Sequence, residues 1–250
     1  MPTIAVHQPN RSTRFLLEST NPPAFQFRSV PELQILLHTR KLDGVVLGLG
    51  LDAIEVVVEI TDRPLLGAGE PVIAAVHPEP LALRQALALL QTDMAIRLSL
   101  LTMGRIALIA EVHRLATTGD LARDNLLKRV APLIPLKLAH LLLPALVIGG
   151  QRASAGDLAE AAGLPERTLR QHLRQHDLPS PLKLLGIVAG THQALYAEEC
   201  LLSSAGAALR AGFTSSEEVR RYLKHRTGRS TAEWRGLGWG RSVQELRDLW

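Results

Sequence analysis

The stretch Ser154-Ala-Gly-Asp-Leu-Ala-Glu-Ala-Ala-Gly163-Leu-Pro165-Glu-Arg-Thr-Leu-Arg-Gln-His-Leu173 decides how the C-terminal half of this chain folds. Ser154 is placed to cap a short helix whose Leu158, Ala159 and Ala162 point inward. Gly163 follows at a turn, where a left-handed backbone costs glycine least. Pro165 stands where the first turn of a helix tolerates it. The next helix buries Leu169 and Leu173, four residues apart on one face. It exposes Glu166, Arg167, Arg170, Gln171 and Arg174.

A second unit of the same build lies downstream. Ser203-Ser-Ala-Gly-Ala-Ala-Leu-Arg-Ala predicts a first helix with Ala207 and Ala208 on its packed side. Gly212-Phe213 predicts the turn. Ser216–Arg226 predicts a second helix burying Val219 and Leu223 and exposing Glu217, Arg220, Arg221 and Lys224, with Gly228 as its stop. Pro181–Ala197 reads as a long helix joining the units. Helix, glycine turn, then a helix rich in Arg and Gln is the helix-turn-helix pattern, whose second helix enters the DNA major groove. Arg reads guanine and Gln reads adenine at base edges.

These residues resemble the AraC/XylS family of transcription regulators. Its second unit carries a pattern like Gly-Phe-Ser-Ser-x-Ser-x-Phe-x-Arg-x-Phe-Lys-x-x-x-Gly-x-x-Pro-x-x-Tyr-Arg. This chain matches it without a gap at Gly212, Phe213, Ser215, Arg221, Lys224, Gly228 and Arg235, with Trp234 in the aromatic position. Leu158-Ala159, Gly163 and Arg167-Thr168-Leu169 fit the family's first unit. Val219 and Leu223 stand in place of two phenylalanines, and Thr231 in place of a proline. The resemblance implies a double helix-turn-helix domain binding double-stranded DNA. It puts base reading on Arg167, Arg170 and Gln171 in the first unit, with Thr168 and Arg174 beside them. In the second unit it puts base reading on Ser216, Glu217 and Arg221. Arg220, Lys224 and Arg235 are the positions for phosphate contact or a structural role. Two units on one rigid helix would meet major grooves about 34 Å apart on one DNA face. Glu217 and Glu218 suit a helix start but repel phosphates, so the first unit has the better chemistry for base reading. A homodimer, which a regulator often needs, and contact with RNA polymerase are also expected.

The bulk numbers agree with a globular regulator. The chain has 250 residues, 46 % hydrophobic and only 4 % aromatic, so its core is mostly Leu, Ala, Val and Ile. The net charge is +4 and the pI about 9.6, which suits a polyanionic partner. Cys200 is the single cysteine, which excludes an internal disulfide, and the histidines have no zinc spacing. No metal or cofactor is expected. The N-terminus shows no signal-peptide pattern. The apolar stretch 131–150 is broken by Pro132, Pro135, Lys137, His140 and Pro144, so a cytoplasmic location without a membrane span is expected.

The N-terminal half reads as an α/β domain over residues 1–93. Strands are expected at Thr3–Val6, Phe25–Phe27, Gly44–Leu49 and Pro71–Val76, and helices at Ser12–Thr20, Val30–Thr39, Asp52–Ile60 and Pro80–Leu90. Strand–helix alternation argues for a parallel sheet covered by helices. The order resembles a response-regulator receiver domain. A receiver needs an acidic pair after its first strand and a phosphorylated aspartate ending its third; here those positions hold His7, Gln8 and Gly48. The reading is a pseudo-receiver without Mg²⁺ or aspartyl-phosphate chemistry. Gly48-Leu-Gly-Leu and Leu65-Leu-Gly-Ala-Gly complete no nucleotide-binding motif, and no constellation for catalysis emerges. Met94–Thr117 reads as one long helix with a broad apolar face. Residues 94–130 are thus a helical linker or dimerisation element, and residues 131–250 the DNA-binding domain. A protein–protein adaptor with a degenerate DNA-binding domain is the alternative, motivated by Glu217 and Glu218.

Overall fold

Short β-branched runs bounded by glycine, proline or serine build the first half of the molecule. A computed structural model of the chain describes residues 3–7, 24–62, 71–92, 94–102, 110–112, 114–116 and 121–250. The chain divides into two units, Met1–Asp120 and Leu121–Trp250. The expected helix at Ser12–Thr20 and the glycines of 65–69 lie outside the described residues.

In the first unit, strands β1 (Ile4–His7), β2 (Phe25–Phe27), β3 (Gly44–Gly48), β4 (Val72–Val76) and β5 (Ile96–Leu100) form one sheet in the order β2-β1-β3-β4-β5. Every pairing is parallel, with Ile4 opposite Gly44, Val45 opposite Val72, and Val72 opposite Ile96. This is the 2-1-3-4-5 order of one common class of doubly wound sheets. Strands β3 and β4 are buried at every residue, which is why Gly44-Val-Val-Leu-Gly and Val72-Ile-Ala-Ala-Val read as continuous apolar runs. Helices α1 (Val30–Thr39), α2 (Ile54–Asp62) and α3 (Pro80–Leu90) follow strands β2, β3 and β4.

One expectation is corrected here. Met94–Thr117 is not a single helix, because Ile96–Leu100 is the fifth strand. The spacing of two between Ile96, Leu98 and Leu100 is a strand period. The free edge of β4 supplies the hydrogen-bonding partners that decide between strand and helix. Helix is present further on, at 110–112 and 114–116, where Val112 and Leu115 pack with Ile4, Val6, Val46 and Ile73.

The second unit is helical throughout. Its elements are α4 (Leu121–Val130), a 3-10 turn at Ala131–Leu133, α5 (Leu136–Ile148), α6 (Ala155–Ala161), α7 (Glu166–Gln175), α8 (Pro181–Glu198), α9 (Ser204–Arg210), α10 (Ser216–Thr227) and α11 (Thr231–Arg247). The segment expected as a linker is therefore shared, with β5 in the sheet and α4 in the helical unit. Asn125 of α4 donates to the Glu199 carboxylate at 2.7 Å just past the end of α8. Helix α8 is the hub and is buried on nearly every side. Pro144 lies inside α5 without ending it. Helix α11 closes the second unit. It kinks at Gly238 (φ 76°), where the Glu198 carboxylate accepts from the Trp239 main-chain N–H at 2.8 Å.

Among the described residues, no helix is long and apolar enough to cross a membrane.

Candidate nucleic-acid interface

Two pairs of helices, α6–α7 and α9–α10, carry the predicted site residues. In the first pair the Ser154 hydroxyl accepts from the Asp157 main-chain N–H at 3.2 Å, and the Asp157 carboxylate accepts from the Ser154 N–H at 2.7 Å. This reciprocal cap starts α6 where the sequence places it. Gly163 has φ 65°, and Leu164 N–H donates back to the Ala159 carbonyl at 2.9 Å. The chain then re-enters a helix after Pro165.

Leu169 and Leu173 are buried, and Arg167, Arg170, Gln171, Arg174 and Gln175 are exposed along the opposite side of α7, lining a shallow open groove. Thr168 is half-buried. Arg170 is paired with Glu166 one turn earlier. No ion pair or hydrogen bond among the described residues engages the side chains of Arg167 or Arg174. The inner end of α7 meets α5: the rings of His140 and His172 stand edge to face with centroids 5.7 Å apart. Burial, and then the like charge of His172 and His176, hold the His140 imidazole below its ordinary pKa.

The second pair has the same construction with different electrostatics. Gly212 has φ 72° at the turn, and Phe213 N–H donates to the Ala208 carbonyl at 3.0 Å. The Ser215 hydroxyl caps α10 by accepting from the Glu218 N–H at 3.2 Å. Val219 and Leu223 are buried in the positions expected of them.

The exposed side of α10 carries Ser216, Glu217, Arg220, Arg221 and Lys224. Glu217 spends its charge on its own helix. Both its oxygens accept from Arg220 at 2.7 Å, and Arg221 stands 4.0 Å away. The Arg220 hydrogen bonds hold the Glu217 carboxyl below its ordinary pKa and push that of Arg220 up. Glu218 faces back toward the turn, accepting from the main-chain N–H and the hydroxyl of Thr214, both at 2.8 Å.

No protein-family model, no curated protein and no solved structure matches this chain. Its chemistry therefore has to be read from its own side chains.

The structure gathers ten of the eleven predicted site residues onto two helices: Arg167, Thr168, Arg170, Gln171 and Arg174 on α7, and Ser216, Glu217, Arg220, Arg221 and Lys224 on α10. Arg235 is apart from them. It is half-buried on α11 and donates to the Leu202 carbonyl at 2.7 Å, so its role is to tie α11 to the start of the second pair. Trp234 beside it is 1 % exposed, with its indole N–H donating to the Thr227 hydroxyl at 3.2 Å.

Sequence reasoning missed Arg152, Tyr222 and Arg226, which join the two pairs. The four-residue interval between Tyr222 and Arg226 puts them on one helix face, but nothing local names their partner at Ala153, 69 and 73 residues away.

Proposed function

We propose that this chain is a sequence-specific DNA-binding transcription regulator in which α6–α7 and α9–α10 act as two helix-turn-helix units. The observation that carries this reading is the outer face of α7. Four groups suited to base edges and phosphates, Arg167, Arg170, Gln171 and Arg174, share one exposed side of a helix anchored beneath by Leu169 and Leu173. Arg and Gln are the side chains that read guanine and adenine bidentately. Arg167 and Arg174 have no internal carboxylate to leave before they meet DNA. On α10 the arginines must be shared with Glu217. We assign base reading chiefly to the first unit, and phosphate contact and positioning to the second.

The N-terminal sheet is the candidate for dimerisation or signal input in the cytoplasm, and RNA polymerase is a candidate partner. Its strand order fits a pseudo-receiver. The position that would take the phosphoryl group is Gly48, and His7 at the end of β1 is buried, with its pKa lowered chiefly by that burial. Gly50, just beyond β3, is clamped by Gln85, which accepts from its N–H at 2.8 Å and donates to its carbonyl at 3.0 Å. The input to this sheet is therefore one other than aspartyl phosphate at Gly48, and labelling of the protein by acetyl phosphate with Mg²⁺ would contradict this.

The decisive experiment selects bound fragments from a random duplex library and titrates the selected duplex at rising salt. Specific binding that weakens linearly in log salt is expected. Alanine at Arg167 and Arg174 should abolish the preference. Absence of any sequence preference at every salt concentration would overturn the reading. An adaptor without DNA reading draws on the Glu217–Arg220 pairing. In that case Arg167→Ala with Arg170→Ala would leave the cellular phenotype intact.

A further inference from the structure

A polar seam joins the two helix pairs within the second unit. The residues that lead into α6 are held from the side by α10. The buried Ala153 carbonyl accepts from Arg226 Nη1 at 2.8 Å and from the Tyr222 hydroxyl at 3.2 Å. Arg226 Nη1 also donates to the Tyr222 hydroxyl at 2.6 Å, and the guanidinium lies over the Tyr222 ring, 3.7 Å from its centroid. Tyr222 in turn stands edge-on to Phe213 in the turn of the second pair, 5.0 Å between centroids. One residue earlier, the Arg152 N–H donates to the Ala211 carbonyl at 3.2 Å, and its guanidinium pairs with Glu218 at 3.0 Å. Both elements of the second pair therefore grip the two residues that precede Ser154, the cap of the first pair.

The covalent path from one pair to the other runs the length of α8. The seam closes that path into a ring, so the orientation of α7 relative to α10 is fixed at two places. A buried carbonyl must keep its donors, and Tyr222 and Arg226 provide both from one helix face. The base of that face packs closely on α8, where a Cβ at Gly186 would lie 2.7 Å from Arg226 Cβ.

We infer that Tyr222 and Arg226 are positioning residues that lock the two helix pairs into one rigid body, so that both engage a single duplex together. This rests on the DNA-binding reading above and adds to it the device that couples the two units. The second contact is already intramolecular through α8, and the seam adds preorganisation, so that the two pairs need not be ordered against each other when they bind.

The test uses the full chain and two duplexes cut from the selected sequence. One is long enough for both pairs, and one is shortened to the contacts of the first. The double variant Tyr222→Phe, Arg226→Met should bind the short duplex as the parent does and lose about tenfold or more on the long one. Equal losses on both duplexes would make the seam merely structural and overturn the inference, as would an unchanged affinity for the long duplex.

Should the variant fail to fold, the parent chain decides the matter by hydrogen exchange. Binding the short duplex should slow exchange in residues 216–227 as well as 155–175. Protection confined to 155–175 would refute the coupling. If the library yields no preferred sequence at all, the DNA-binding reading fails first, and this inference falls with it.

Discussion

Gly190→Ala offers a sharp test of how the helical unit is held together. Gly190 sits in α8 against Trp234 of α11, and a Cβ there would lie 2.3 Å from two carbons of the indole. The ring has nowhere to go. It is 1 % exposed, its N–H is bonded to Thr227, and the Arg229 guanidinium lies 5.3 Å from its centroid. Ordinary carbon contact would require the two helices to part by about an ångström. Overpacking of a close-packed core costs about 1–3 kcal/mol, and a clash of this depth belongs at the upper end. Ala in a helix gains back about 1 kcal/mol over Gly. The net loss is then about 2 kcal/mol, or about 4–16 °C in Tm at the usual 2–8 °C per kcal/mol.

Gly206→Ala is the matched control. The same methyl there meets nothing closer than the Ser203 hydroxyl at 3.4 Å, so the propensity gain stands and Tm should rise by up to about 2–8 °C. The assay is thermal unfolding followed by tryptophan fluorescence. Trp234, Trp239 and Trp250 all lie in Leu121–Trp250, so the signal reports that unit alone. A Gly190→Ala protein as stable as the parent would refute the reasoning, as would both variants moving Tm in the same direction.

Glu217→Gln should release Arg220 and Arg221 for phosphate. The slope of log affinity against log salt should then steepen by about 1 for each arginine gained, and a slope equal to the parent's would show that α10 does not face the duplex. His140 should titrate below its ordinary 6.5, because burial first, and then His172 and His176, disfavour its charged form. With the folded value depressed, the neutral imidazole contributes stability that is fully present above 6.5 and is lost as pH falls through the folded value. An NMR titration of the imidazole proton with a midpoint at or above 6.5 would contradict this, and so would a His140→Gln chain whose helical unit keeps the parent's pH dependence.

The parts of this fold that were legible in advance are those whose cause is local. Ser154 with Asp157, Gly163, Gly212 and Gly228 announce their caps and turns through preferences acting over three or four residues. Leu169 with Leu173, and Val219 with Leu223, announce a buried face by their spacing. Strands β3 and β4 announce themselves as apolar runs long enough only for a buried strand. The same locality explains why the outward side chains of α7 and α10 could be named from their positions alone.

What only the tertiary structure decided depends on a partner distant in sequence. Ile96–Leu100 is a strand because β4 offers an open edge, although the longer apolar run Met94–Thr117 that contains it reads as one helix. Arg235 turns inward because the Leu202 carbonyl needs a donor. Arg226 and Tyr222 find theirs at Ala153, 73 and 69 residues away. A hydrogen bond or a packed ring constrains two places at once. A pattern read along one segment specifies which face that segment buries, and the group waiting on the other side is fixed only when the chain has closed on itself.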